Sequence, residues 1–222
     1  MGAALRNFGR ADLPGERIMA SLIVPPQTLK RWIRRRRRSG LDRYDEVWDG
    51  VYVMSPIANI EHQGIGTQLS SAFIQALPES AKRRVLAGAN VSDRGRGWTK
   101  NYRVPDVVVY LPDNPAIFHE AYAQGGPDFA VEVISKGDRS RDKFDFYKKV
   151  GVRELLLVDR YPWRLELFRN TGTEWIDAGS LSSGDSGRIV SEVLPVSFRL
   201  IEVNTGPKIE VTHSTDGRVW NC

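Results

Sequence analysis

Cysteine is nearly missing from this chain of 222 residues: there is one, Cys222, at the last position. Neither a disulfide framework nor a cysteine-built zinc site can form within one copy, and a reducing, cytoplasmic compartment is the natural expectation. Histidine is almost as scarce, with only His62, His119 and His213, which argues against a histidine-rich zinc centre. Long apolar runs are lacking too. No stretch approaches the roughly 18 to 20 consecutive apolar residues of a membrane-spanning helix. The opening "MGAALRNFGRADLPGERIMASLIVPP" has charges interrupting each apolar run, so the apolar core of a secretory signal is not expected there. The patterns G-x-S-x-G, G-x-x-x-x-G-K and H-E-x-x-H do not occur, and "GIGTQL" is too weak a glycine pattern to suggest a nucleotide.

What is present fits a globular domain: 41% hydrophobic and 27% charged residues, enough chain for one substantial core. Residues 1–24 are expected to be a poorly ordered extension. Residues 25–222 should form a single domain, with a core over about 44–160 and a β-rich part over about 161–222. The net charge of +5 suits a polyanionic partner, although many basic proteins bind no nucleic acid.

Pro25 and Pro26 precede "QTLKRWIRRRRRSG", a predicted helix ended by Gly40. Lys30, Arg31 and the run Arg34, Arg35, Arg36, Arg37 and Arg38 put charge on every face of its second half, which therefore cannot be buried. The run reads either as a solvated helix end or as a patch that contacts phosphates, and a nuclear import signal matches the same letters. "YDEVWDGVYVM" alternates around Asp49-Gly50, a strong hairpin signal. From Asn59, a good N-cap, a helix is predicted to Leu77, with Ile65, Leu69, Ala72, Phe73 and Ala76 on one stripe and Pro78 behind it. His62 falls in that stripe near the first turn, where a lone histidine is more often a core residue than a ligand.

Three strands are predicted next, over about 83–91, 104–111 and 129–134. The first two flank "SDRGRGWTKNY", a glycine-rich loop carrying Arg94, Arg96 and Lys100. A helix over about 141–150 and the strand "ELLLVD" follow. The order helix, three strands, helix, strand implies a mixed α/β fold with a central mixed sheet. Beyond Tyr161 short strands form a meander that either extends this sheet or offers a homodimer surface.

Two residues break the apolar pattern. Glu132 sits inside "FAVEVI" with no lysine or arginine at the same-face positions 130 and 134, and an unpaired buried carboxylate costs several kcal/mol. Asp106 interrupts the neighbouring predicted strand. Two such charges about 4 Å apart repel by about 4 kcal/mol at an effective dielectric near 20. Either one acid is protonated or a cation lies between them, and a hard divalent ion is the economical choice. In the following helix Lys143, Phe146, Tyr147 and Val150 share the i, i+3, i+4, i+7 stripe, so Lys143 is predicted to point inward, unlike Lys148 and Lys149. A buried salt bridge is the simpler reading of these groups. Two acids and one lysine would still leave net negative charge for a metal to balance. An acid pair, a metal and a lysine together form the apparatus of phosphodiester hydrolysis.

These segments resemble the PD-(D/E)xK nuclease superfamily and, within it, the Uma-two family of restriction-endonuclease-like proteins. The likeness is carried by "RYDEVWDGVYVMSPIANIEHQ", "NYRVPDVVVYLPD", "GGPDFAVEVISKGDRSRDKFDFYKKVGVRELLLVD" and "KIEVTHSTDGRVW", in order over roughly residues 27–220. It implies a restriction-endonuclease-like core acting on DNA with Mg²⁺ or Mn²⁺. Asp106 and Glu132 correspond to the metal-binding acids, Lys143 to the catalytic lysine, and Tyr147 follows one turn later. Glu46 and His62 match further polar positions near the site. The superfamily's lysine would stand at position 134, where this chain has Ile134. That role moves to the helix, with Lys136 as a competitor from the loop. The basic residues Arg34 to Arg38, Arg94, Arg96 and Lys100 are the expected DNA contacts.

Overall fold

The computed structural model describes residues 25–82, 84–135, 139–204 and 206–222. The extension expected over 1–24, and Lys136, lie outside the described residues. Helix α1 (Pro26–Ser39) has proline at its start, where a helix N–H has no partner anyway. It closes at Gly40, whose φ of 68° lets the N–H turn back to the last carbonyls. None of its side chains is buried. Arg31, Arg34, Arg35 and Arg38 are exposed and, at i, i+3, i+4 and i+7, share one stripe. Next, β1 (Glu46–Trp48) and β2 (Val51–Val53) pair antiparallel about Asp49 and Gly50, at φ 46° and 89°, the tight turn that Asp-Gly permits. Helix α2 (Ile60–Ala76) starts at Asn59, whose side chain accepts the His62 N–H, and buries the predicted stripe. A short α3 (Glu79–Lys82) follows.

The strand predicted over 83–91 is divided between two sheets, and the one predicted over 104–111 shortens to β6, preceded by a strand of another sheet. Gly88, at φ 64°, separates β3 (Val85–Ala87) from β4 (Val91–Ser92). Pro105 and Asp106 separate β5 (Tyr102–Arg103) from β6 (Val107–Val109). The two breaks are neighbours, because the Gly88 N–H donates to the Asp106 carbonyl at 3.2 Å. The strands β7 (Ile117–Phe118) and β8 (Ala123–Gln124) are too short for a pattern to reveal. After β9 (Phe129–Val133), a 3-10 turn at Ser140–Lys143 leads into α4 (Phe144–Val150). The rest is strand: β10 (Glu154–Arg160), β11 (Trp163–Asn170), β12 (Trp175–Ser182), β13 (Ile189–Val190), β14 (Val196–Val203), β15 (Gly206–His213) and β16 (Val219–Asn221).

Three sheets result, ordered β2-β1-β5-β4-β8-β7, β12-β11-β10-β9-β6-β3 and β13-β14-β15-β16. The second is the central mixed sheet, in which β9 and β10 run parallel with α4 as their crossover. The C-terminal part therefore does two things: β11 and β12 extend the central sheet, and β13 to β16 form a separate antiparallel meander. On one face of the central sheet Phe129, Val131 and Val133 pack with α2. On the other, Ala130, Leu155 and Leu157 meet Phe146 and Tyr147 of α4. Alternation along β9 then sends Glu132 toward α4. Phe73, Phe129 and Phe198 meet with centroids 5.5 to 6.2 Å apart and join α2, the central sheet and the meander. Among the described residues no helix is long and apolar enough to cross a membrane.

Candidate active site

The breaks that divide the strands bring the polar residues together. Asp106, expected inside a strand, lies one residue before β6. Its N–H donates to the Val131 carbonyl at 3.0 Å and its Oδ2 accepts the Val133 N–H at 2.7 Å, so it is bonded to the chain on both sides of Glu132. Its Oδ1 is 2.7 Å from His62 Nε2, and His62 Nδ1 is 3.3 Å from Ser135 Oγ. A carboxylate only accepts, so Nε2 donates to Asp106, and Nδ1 shares a hydrogen bond with the Ser135 hydroxyl.

Glu132 is 3% exposed. Lys143 Nζ donates to its two oxygens at 2.9 and 3.0 Å, the Tyr147 hydroxyl donates to Oε1, and Ser140 Oγ lies 3.3 Å from Oε2. The same ammonium reaches Glu46 Oε1 at 2.9 Å. Glu46 is itself fixed, by the Val104 N–H at 2.8 Å and the Trp48 indole N–H at 2.6 Å. Lys143 closes the 3-10 turn and faces inward beside Phe146 and Tyr147, as the stripe predicts, whereas Val150 is half-buried. Ile134, at the superfamily's lysine position, donates its N–H to the Val158 carbonyl at 2.8 Å and packs against the α4-side core.

Burial pushes the Glu132 carboxyl up to about 8; Lys143 opposes this, while the charges of Asp106 and Glu46 add to it. Burial lowers the Lys143 pKa, but Glu132 and Glu46 outweigh it and hold the ammonium above the ordinary lysine range. Lys143 is therefore a fixed cation rather than a base. Burial, then the neighbouring carboxylates, also keep Tyr147 well above the usual phenol range, so it stays a neutral donor. Glu46, His62, Asp106, Glu132 and Lys143 line one cleft of about 90 Å³, together with Tyr44, Ser135 and residues 55–58.

The donor set can be tested against a hard divalent ion. The cleft holds three carboxylates, one ammonium and one imidazole, and such oxygens suit Mg²⁺ or Mn²⁺ better than a soft metal. Among the described residues no group of three or more His, Cys, Asp and Glu side chains is arranged to hold a metal. An ion here would thus rest on Asp106 and Glu132, with chain carbonyls and water completing its shell.

The basic residues divide by role. Arg36 is not free for a phosphate: its guanidinium donates to Asp45 at 2.5 and 2.6 Å and to the carbonyls of Leu41 and Ser55. The bond to Asp45 holds Arg36 above its ordinary pKa. Arg94 is paired with Asp93 at 2.6 Å and more loosely with Asp49 at 3.6 Å. Among the described residues Arg37 has one acidic contact, a long one to Asp42 at 3.9 Å. Among the described residues Arg34, Arg35, Arg38, Arg96 and Lys100 have no acidic partner, and all are exposed.

Several residues near the site were not anticipated from the sequence. Ser135 meets His62, and the buried Arg160 donates to Asn59 Oδ1 at 3.1 Å, Glu61 at 2.7 Å and Ser135 Oγ at 3.5 Å, anchoring the start of α2. Arg103 lies between the rings of Trp48 and Phe146, 4.7 and 4.2 Å from their centroids, behind Glu46. A buried arginine in a short strand could have been flagged by the rule that exposed Glu132; Ser135 offers no such signal.

The fold is similar to a solved structure described as "Crystal structure of a putative nuclease belonging to DUF820 from Anabaena variabilis ATCC 29413". The TM-score is 0.51 at 16% identity, covering 67% of this chain and 82% of the other, a likeness of fold alone. No curated protein matches the chain. The profile of the Uma2 family, described as "Putative restriction endonuclease", matches residues 27–204. That span runs from the first turn of α1 through β14 and includes every residue of the cleft, and the chain belongs to the Uma2 family.

Proposed function

We propose that this protein is a metal-dependent DNA endonuclease. The reading rests above all on the convergence of Asp106, Glu132 and Lys143 in one cleft, with Glu46 and His62 beside them. Asp106 and Glu132 would hold Mg²⁺ or Mn²⁺, which when bound activates water and stabilises charge on the phosphoryl oxygens. Lys143 is a charged donor whose three N–H groups are directed at Glu132 and Glu46; a metal that takes over a Glu132 oxygen would free one of them for the attacking water or a phosphoryl oxygen. Glu46 shares the ammonium and fixes its direction. Tyr147 orients Glu132, and His62 orients Asp106 through Nε2. The exposed stripe of α1 carrying Arg34, Arg35 and Arg38, with Arg96 and Lys100, contacts the DNA backbone without reading sequence.

Purified protein with supercoiled plasmid and Mg²⁺ or Mn²⁺ tests this. Wild type should nick the plasmid, and Asp106→Asn and Glu132→Gln should not; an inert wild type, or equal nicking by Asp106→Asn, overturns the reading. One observation favours a second reading, a DNA-binding module without turnover. Glu132 already accepts from Lys143 and Tyr147, which compete with a metal for its oxygens. A gel shift that weakens with salt, with no cleavage under several metals, would select it.

A further inference from the structure

Behind the hairpin lies a second and larger cleft, about 650 Å³, bounded by α1, β1, β2 and the turn Trp98–Lys100. Its size is in the range of small-ligand sites. It does not open among the residues that line the active-site cleft: the two share no lining residue. Consecutive side chains of β1 serve one each, Glu46 the active site and Val47 this cleft, so a single strand forms the wall between them.

Its lining is aromatic and basic. Trp98, Tyr102 and Tyr52 supply rings, while Arg37, Arg43 and Lys100 supply cations, against one acid among the described residues, Asp42. The indole of Trp98 is braced from outside. It stacks on Tyr122 at 4.6 Å and 13°, Tyr122 stacks on His119 at 4.3 Å, and Tyr102 meets Trp98 edge-on at 5.2 Å. The Tyr122 hydroxyl is tied to the Gly95 carbonyl at 3.0 Å. The far wall is fixed as well, since the Gly50 N–H donates to the Lys100 carbonyl at 2.7 Å and the Asp49 N–H to Asn101 Oδ1 at 3.0 Å. Rings already held in place lose little entropy on stacking with a further ring.

We propose that this cleft binds an unpaired nucleotide of a nucleic-acid strand, its base against Trp98 and Tyr102 and its phosphates on Arg37, Arg43 and Lys100. Stacking requires the face of a base, which a duplex buries between neighbours, so the cleft selects single-stranded segments. Rings and cations together are tolerant of base identity. The inference refines the DNA reading above by naming a structural class of substrate: a strand with an overhang, flap or gap beside the bond that is cut.

The test is made in EDTA, where no cleavage can occur, so its outcome does not depend on whether the plasmid is nicked. Fluorescence anisotropy compares a labelled short oligothymidine with a labelled blunt duplex of equal length. Trp98→Ala should weaken strand binding roughly tenfold and duplex binding by less than about twofold. Trp98→Phe, which keeps a ring on Tyr122, should retain most of the strand affinity. Lys100→Ala, at an exposed position, should weaken strand binding and lower the salt slope by about one. Unchanged strand affinity in Trp98→Ala or Lys100→Ala overturns the proposal, as do equal losses on strand and duplex in Trp98→Ala. Displacement of the oligonucleotide by equimolar thymidine monophosphate would assign the cleft to a free nucleotide and overturn it too.

Discussion

At the scale of single residues, the ammonium of Lys143 decides most of the site's character. It is shared by two buried glutamates, so its removal leaves both without the cation that their buried oxygens face. Lys143→Met is expected to destabilise the metal-free protein by about 3–5 kcal/mol, read from denaturant melts. Plasmid nicking by the variant should fall by roughly 10² to 10³, the range for losing one aligned transition-state donor. Glu132 makes a pH prediction with a definite sign. Folded, its carboxyl keeps a proton up to about 8, whereas the unfolded chain releases it near 4.5. The folded state then binds more protons across that window, and stability of the metal-free protein falls as pH rises through it, by at most about 1.4 kcal/mol per pH unit. Melting curves from pH 5 to 8 should show the slope in wild type and lose it in Glu132→Gln. Sequence disclosed Glu132 because charge inside an apolar run is conspicuous, and Lys143 because helix periodicity separates it from Lys148 and Lys149. Glu46 was reached only through family resemblance. Ser135 was not reached at all, since its contact with His62 depends on where the start of α2 lands against the end of β9.

At the scale of elements, local signals worked where the element is closed by its own residues. Asp49-Gly50 turned the hairpin and Asn59 capped α2 because those jobs are done within a few positions. Asn59 also meets Arg160 across the fold. Replacing it with alanine should cost about 1 kcal/mol or somewhat more in chemical denaturation, a cap together with an ion-dipole contact. The long predicted strands failed for the opposite reason. Apolar residues over 83–91 say that the chain is extended, not which sheet it joins, and Gly88 transfers it from one sheet to another, as Pro105 and Asp106 do between β5 and β6. Gly88 is needed for this on two counts. Its φ of 64° disfavours any side chain, and a Cβ would come within 2.8 Å of the Tyr44 ring. Gly88→Ala should therefore lower the melting temperature and displace Tyr44, a wall of the active-site cleft. An effect on plasmid nicking without any loss of stability would contradict that account.

For the molecule as a whole, the meander is held to the central sheet by core and by charge. Besides the Phe73, Phe129 and Phe198 contact, the buried Glu154 of β10 accepts from the Ser191 hydroxyl at 2.5 Å and the Glu192 N–H at 3.0 Å. Cys222 is locked into the same interior, pairing with the backbone of Ile209, and burial pushes its thiol up to about 12. A thiol-specific dye should fail to label the native protein and should label it fully once denaturant opens the meander. Phe198→Ala, at an estimated cost of about 3–5 kcal/mol, should bring that labelling to lower denaturant. The wall of β1 has a consequence at this scale. If one strand of DNA lodges behind the hairpin while its neighbouring phosphate lies before Glu132, the hairpin becomes a ruler. The cut would fall at a constant offset from the junction of paired and unpaired DNA, and flapped substrates of different sequence would give one sharp product band instead of a ladder.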